Sequence, residues 1–329
     1  MCPTGAASPR PGTRSKQPRR HALDLVSVDA QRAPRPAPLA LRGRRRPALA
    51  TGGLLGLPVS WLAFFFLVPV GFAALYSVGV LSFFPGEENF SFAIWKDFID
   101  GSSYLNLFWK SAKVSAITAV ISVVLAYPIA YYLALGAGSR KYVLLLLIIT
   151  PFFVSYLLRV FAMKVMLGDD GVINSIFYSL GLRDPDNPIP GLIYSQTAVV
   201  ITLVIVYVPF VALPIFVVLE NLDRRLLEAA GDLGASRLQT FLRVTLPLSA
   251  PGVMAGFVFV FVPTLGEYFT PLLLGGTDGY LFGNSIFDLF GASLDWQTGS
   301  VLSLFLLAVV LVLMAFFSRF LSTKTLTAG

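Results

Sequence analysis

Six apolar stretches, each close to twenty residues, decide what this chain can become. They cover residues 61–81, 114–135, 142–167, 198–219, 252–274 and 301–320. Each matches the ~20 residues a helix needs to cross ~30 Å of hydrocarbon. Backbone groups cannot stay unpaired in lipid, so each stretch is expected to be a helix. Pro69, Pro128, Pro151, Pro209 and Pro214 fall inside these runs and are read as kinks. The expected fold class is an all-α membrane protein with six transmembrane helices.

Composition supports that reading. Of 329 residues, 56% are hydrophobic and 13% charged, against about a quarter charged in soluble domains. A soluble globular enzyme or a disordered chain is excluded, because one water-facing domain cannot hide so much apolar surface. The net charge of +7 does not signal a nucleic-acid partner. Residues 1–50 hold 11 Lys+Arg and 2 acids, or +9, and the remainder 14 and 16, or −2. The basic character belongs to a tail.

That tail, 1–47, is rich in Arg, Pro and Ala, lacks periodicity, and is expected to be a disordered basic cytoplasmic segment ahead of a six-span transmembrane domain at 48–329. A signal peptide is the competing reading. The apolar run that follows is too long for one and shows no clear cleavage site. Arg42, Arg44, Arg45 and Arg46 would anchor the tail beside anionic lipid. The lone Cys2 and lone His21 both lie there, so no disulfide, Cys/His metal site or Ser-His or Cys-His nucleophile can be built in the membrane part. No cofactor is expected.

The connecting segments alternate in charge. Acids dominate after span one (Glu87, Glu88, Asp97, Asp100), after span three (Asp169, Asp170, Asp184, Asp186) and after span five (Asp278, Asp288, Asp295). Bases dominate on the other side: the tail, Arg140 and Lys141, then Arg224, Arg225, Arg237 and Arg243, then Arg319 and Lys324. The positive-inside rule places both termini in the cytoplasm. Lys110 and Lys113 are mild exceptions that can snorkel.

The cytoplasmic loop at 220–247 has helical pattern of its own. Leu226, Ala230 and Leu233 share one face, and Leu238, Phe241, Leu242 and Thr245 form a second stripe. Gly234 lies between them and can take a turn that other residues resist. Two short helices at an angle are expected, with Ala229, Ala230 and Gly231 offering a small surface to a partner and Pro247 heading span five.

Here the text resembles a known family. Glu228-Ala229-Ala230, three residues, Gly234, nine residues and Val244-Thr-Leu246-Pro247 is similar to the EAA signature of binding-protein-dependent ABC transporter permeases, with Val244 in place of Ile. The resemblance covers most of residues 55–325. It implies the type I importer-like permease fold and a bacterial inner-membrane location. It also implies a loop that docks on a cytoplasmic ATPase, with Glu228 and Gly234 mattering most. Glu228 would pair with a base on the ATPase or cap its own helix. Implied partners are two cytoplasmic ABC ATPase subunits, a second homologous permease and an extracytoplasmic substrate-binding protein, besides the lipid bilayer. None of the seven lysines follows a glycine, so the chain lacks the Gly-Lys of a phosphate-binding loop and ATP hydrolysis belongs to another protein.

Arg159, Lys164 and Glu267 stand out among the charges within spans, and intramembrane ions are functional candidates. On straight helices Arg159 would sit ~26 Å and Glu267 ~30 Å above the inner ends. Glu267, with Tyr268 and Phe269, either lines the path of a cationic substrate or forms a structural pair with Arg159. Lys164 reads as snorkelling. Pro151-Phe-Phe-Val-Ser-Tyr-Leu-Leu-Arg159 and Gly168-Asp-Asp-Gly-Val-Ile-Asn174 resemble the spermidine/putrescine branch of the family. So does Leu265-Gly-Glu267-Tyr-Phe-Thr-Pro271, and polyamine is the solute that this implies. The alternatives are a secondary transporter driven by an ion gradient and an intramembrane enzyme. The first lacks a duplicated half and a midplane acid, and the second lacks an acid/base or metal constellation.

Overall fold

The computed structural model describes residues 48–325 apart from 85, 87, 88, 102, 185 and 186. The tail 1–47, Glu87, Glu88 and Asp186 therefore lie outside the described residues. The chain divides into two compact units, Met1–Trp61 and Leu62–Gly329. The first is described only where the leading helix begins; the second holds everything that follows.

Every regular element among the described residues is helical. In chain order they are α1 (Ala48–Ser77), α2 (Ala93–Ile99), α3 (Ser103–Tyr131), α4 (Lys141–Ile149), α5 (Tyr156–Leu167) and α6 (Val172–Ser179). Then come α7 (Gln196–Glu220), α8 (Arg224–Asp232), α9 (Arg237–Thr240), α10 (Leu246–Leu265), α11 (Phe282–Gly291) and α12 (Trp296–Thr325). Five stretches are long and apolar enough to cross a membrane: Gly56–Ser77, Ser103–Gly136, Gln196–Glu220, Arg237–Leu265 and Trp296–Arg319. They correspond to expected spans one, two, four, five and six.

Span three differs from expectation. Gly138–Phe153 and Tyr156–Ser179 pass the same test only as a pair, bent by 87°. The break falls at Val154 and Ser155, whose backbones are extended (ψ 138° and 137°). Pro151 opens the short 3-10 turn Thr150–Phe153 that precedes it. A proline removes one helical donor and clashes with the previous turn, and here the helix stops rather than bends. The straight-helix depth assigned to Arg159 therefore does not hold, since Arg159 lies on the second leg.

The core is a bundle of α3, α7 and α10. Small residues let these helices approach. Ser111, Ser115, Thr118, Ala119, Ser122, Ala126 and Ala130 on α3 are fully buried. On α10, a Cβ at Gly252 would lie 2.8 Å from the Pro214 carbonyl oxygen of α7, and one at Gly256 would lie 2.8 Å from Val211 Cγ1. Close approach at small-xxx-small positions is how membrane helices gain packing where lipid offers no hydrophobic drive. The apolar stretch of α1 buries none of its window, so the first span adds nothing to this core.

Span five begins and ends earlier than expected. It runs from Arg237 through the π-turn Phe241–Thr245 to Leu265. Pro247 does not restart the chain; the Leu246 N–H bonds to the Phe241 carbonyl five residues back, and the widened turn absorbs the proline. Glu267 therefore lies beyond the helix and not within it.

Candidate functional site

Two regions carry the residues singled out by sequence. The first is the loop 220–247. Helix α8 is capped by Asp223, whose Oδ1 accepts from the Arg225 N–H at 3.0 Å. Asp223, and not Glu228, caps this helix; Glu228 sits on the exposed surface. Gly234 ends the helix with φ +79°, a left-handed conformation that costs other residues about 1–2 kcal/mol. Ser236 and Gln239 then form a reciprocal capping box that starts α9. The expected two-helix elbow is present, although its second arm continues into span five.

Little covers this elbow. No residue of α8 is buried, and the loop exposes Leu233 at 88% and Leu238 at 66%. Nothing lies within 4 Å of a Cβ built on Gly231 or Gly234. Ala229 is exposed, Ala230 half-buried, and Leu246 and Pro247 are exposed at the root of span five. The second stripe splits: Thr245 is buried and Phe241 packs edge-on to Tyr127 and Tyr131 of α3 at 5.6 and 5.7 Å. Leu238 and Leu242 remain exposed. The elbow is thus anchored by Phe241 and Thr245 and free on its other face.

The second region follows span five. Glu267 Oε1 accepts from the backbone N–H groups of Phe269 and Thr270, both at 3.0 Å. Its carboxylate caps the helical turn that opens at Phe269 and leads into the π-turn Pro271–Gly275. Tyr156 of α5 bonds the Thr270 hydroxyl at 2.6 Å, which brings the second leg of span three onto this turn. Both Glu267 and Arg159 act electrostatically on Tyr207 of α7. Glu267 and Arg159 nevertheless form no ion pair among the described residues, where the ion pair found is Lys141–Glu220. Arg159 places its guanidinium carbon 5.2 Å over the Phe152 ring, across the bend, and its Nε is buried without a hydrogen-bond partner. The structural-pair alternative is thereby corrected. Lys164 lies 5.9 Å over the Tyr194 ring.

Tyr268 is 41% exposed and stacks on Phe287 at 5.0 Å. Its carbonyl accepts from Asn284 Nδ2 at 2.9 Å, while Asn284 Oδ1 accepts from the Leu281 N–H at 3.1 Å. The Ser111 hydroxyl oxygen accepts from the Phe282 N–H at 2.7 Å. A Cβ on Gly283 would lie 2.6 Å from the carbonyl oxygens of both Gly266 and Glu267. Tyr280 donates to Asp288 Oδ2 at 2.6 Å; burial first, and then this bond, raises its pKa above the ordinary value. Residues 266–288 are therefore locked to one another and to α3.

Sequence reasoning missed Tyr156, Tyr207, Thr270, Gly283 and Asn284 in this region. Only Asn284 left a signal, as an amide in an apolar run. Among the described residues, no group of three or more His, Cys, Asp or Glu could hold a metal ion.

Comparisons with known proteins agree with this geometry. Residues 116–326 match the family described as "Binding-protein-dependent transport system inner membrane component". The spermidine/putrescine transport system permease protein PotB of Haemophilus influenzae is 35% identical over 268 residues, covering 79% of this chain and 90% of that protein. PotB of Escherichia coli is 37% identical over 224 residues, covering 67% of this chain and 80% of the relative. Among solved structures, a chain of a bacterial alginate ABC transporter in complex with alginate pentasaccharide-bound periplasmic protein superposes with a TM-score of 0.67. Its identity is 15%, and the match covers 82% of this chain and 93% of that one. At that identity the likeness speaks for the fold.

Proposed function

The chain belongs to the family of binding-protein-dependent transport system inner membrane components, which makes it a multi-pass permease subunit of an ABC importer and not an enzyme, and we propose that the solute it passes is a polyamine. The observation that carries the proposal is the 35–37% identity to spermidine/putrescine permeases over most of the chain. The site's chemistry fits. Tyr268 and Phe287 offer aromatic surface, and Glu267 is a half-buried carboxylate beside Tyr156 and Tyr207. Polyamines are multivalent cations, to which acids and aromatic faces are suited.

The loop 220–247 is the surface offered to an ATPase subunit, with Glu228, Ala229, Ala230, Gly231 and Gly234 at the contact and Leu246 and Pro247 at its root. Its exposed leucines would be hidden by such a partner, as at interfaces generally. Two ATPases below, a binding protein above and a second homologous permease alongside complete the importer. The alternation of basic and acidic connecting segments supports a cytoplasmic position for the loop and both termini. The ion-gradient alternative is not favoured by the family assignment.

The test is uptake by the reconstituted complex of this chain with its partner subunits and binding protein. ATP-dependent accumulation of labelled spermidine or putrescine is expected. Uptake of another solute with none of either polyamine would overturn the substrate; uptake that runs on an ion gradient without ATP would overturn the importer.

A further inference from the structure

The ion pair Lys141–Glu220 lies at the very start of the loop 220–247, eight residues before Glu228. Lys141 opens α4, the first leg of the bent third span, and Glu220 is the last residue of α7. Asp223, the cap of α8, follows Glu220 by three residues. The pair therefore ties the root of the exposed loop to the start of span three. Both side chains are about three-quarters covered, at 23% and 22% exposed. The second carboxylate oxygen of Glu220 is buried with no hydrogen-bond partner. Lys141 is thus what compensates this carboxylate, and removing either partner would strand a covered charge.

Helix α4 has no buried residue of its own. Leu144, Leu145 and Ile148 rest partly buried on the α3–α7–α10 cluster. Apolar contacts of this kind hold helices together but do not fix one axial position. The directional contact at the start of α4 is the ion pair, beside the Tyr142–Phe216 ring contact at 6.5 Å. At the far end of the leg Phe152 meets Phe210 of α7, with ring centroids 3.9 Å apart. Arg159 lies over that same Phe152 from beyond the bend. A shift at the loop root has a continuous route: Glu220, Lys141, the first leg, Phe152, Arg159.

We infer that Lys141 and Glu220 are positioning residues that carry movement of the ATPase-facing loop to the bent third span and its Arg159. The inference rests on the importer reading of the loop. Its test uses the complete reconstituted transporter and reads solute imported per ATP hydrolysed, together with retention of the ATPase subunits. Glu220→Gln and Lys141→Gln should each lower transport per ATP by about tenfold while ATPase retention and ATP hydrolysis persist. The double variant Lys141→Glu with Glu220→Lys should recover most of it. A merely structural pair would change the amount of assembled complex, not the ratio. Single variants with wild-type transport per ATP would overturn the inference. So would a swap that assembles yet stays as uncoupled as the single variants, or a swap that fails to assemble. A wild-type complex that imports no polyamine would instead break the substrate assignment and leave this ratio to be measured with the solute it does carry.

Discussion

The loop 220–247 and the segment 266–288 treat glycine in opposite ways. In the loop, a methyl group on Gly231 would meet nothing within 4 Å. In the later segment, a methyl group on Gly283 would collide with two backbone carbonyls at 2.6 Å. The first region spends little packing on itself and offers its surface outward. The second is closed by Asn284, Ser111 and Glu267, each accepting or donating to backbone groups. An element that moves with a partner is expected to have few internal contacts, and one that shapes a path is expected to be held in register.

The same contrast orders the effects of substitution. Gly283→Ala should be the most damaging, at about 3 kcal/mol or more, because backbone on both sides cannot give way. Thermal unfolding in detergent should show a sharp fall in midpoint, and a wild-type midpoint would mean the segment is not locked. Asn284→Ala should cost about 2 kcal/mol by leaving the Leu281 N–H unpaired and removing one of the two bonds that the Tyr268 carbonyl accepts, read in the same assay. Glu267→Ala should cost about 1 kcal/mol as a lost cap. Glu267→Gln keeps an acceptor oxygen, so its midpoint should stay near wild type while uptake of a cationic solute falls. If Glu267→Gln imports normally, the carboxylate serves only as a cap. Gly231→Ala should be the mildest, neutral or stabilising by up to about 1 kcal/mol from helix propensity alone. A large loss of stability there would mean that something covers the loop.

How much of this was legible in the sequence follows from the range of the contacts. The loop was readable because its determinants are local. Gly234 takes its positive φ, and the leucines repeat at helical spacing. The spans were readable because lipid imposes length and apolarity. The bend in span three was only half readable. Pro151 marked a kink, but the 87° turn depends on the extended Val154 and Ser155. With that bend Arg159 leaves the axis of the first leg, and its distance from the inner end no longer follows from residue count. The true partners of Glu267 were not readable in composition or period. Pairing it with Arg159 assumed a helix through residue 274, whereas Gly266 ends the helix and the carboxylate turns back on Phe269 and Thr270. The bond from Phe282 to Ser111 spans 171 residues, and no local pattern announces it.

The most direct test of the account measures ATPase retention and polyamine uptake together, on Glu228→Lys and on Glu267→Gln in the reconstituted complex. The account predicts separation. Glu228→Lys should lose the ATPase subunits, and with them uptake, while remaining folded in the membrane. Glu267→Gln should keep the ATPase at wild-type levels and lose uptake. If Glu228→Lys retains the ATPase and imports at the wild-type rate, the exposed loop is not the ATPase dock and the account is contradicted.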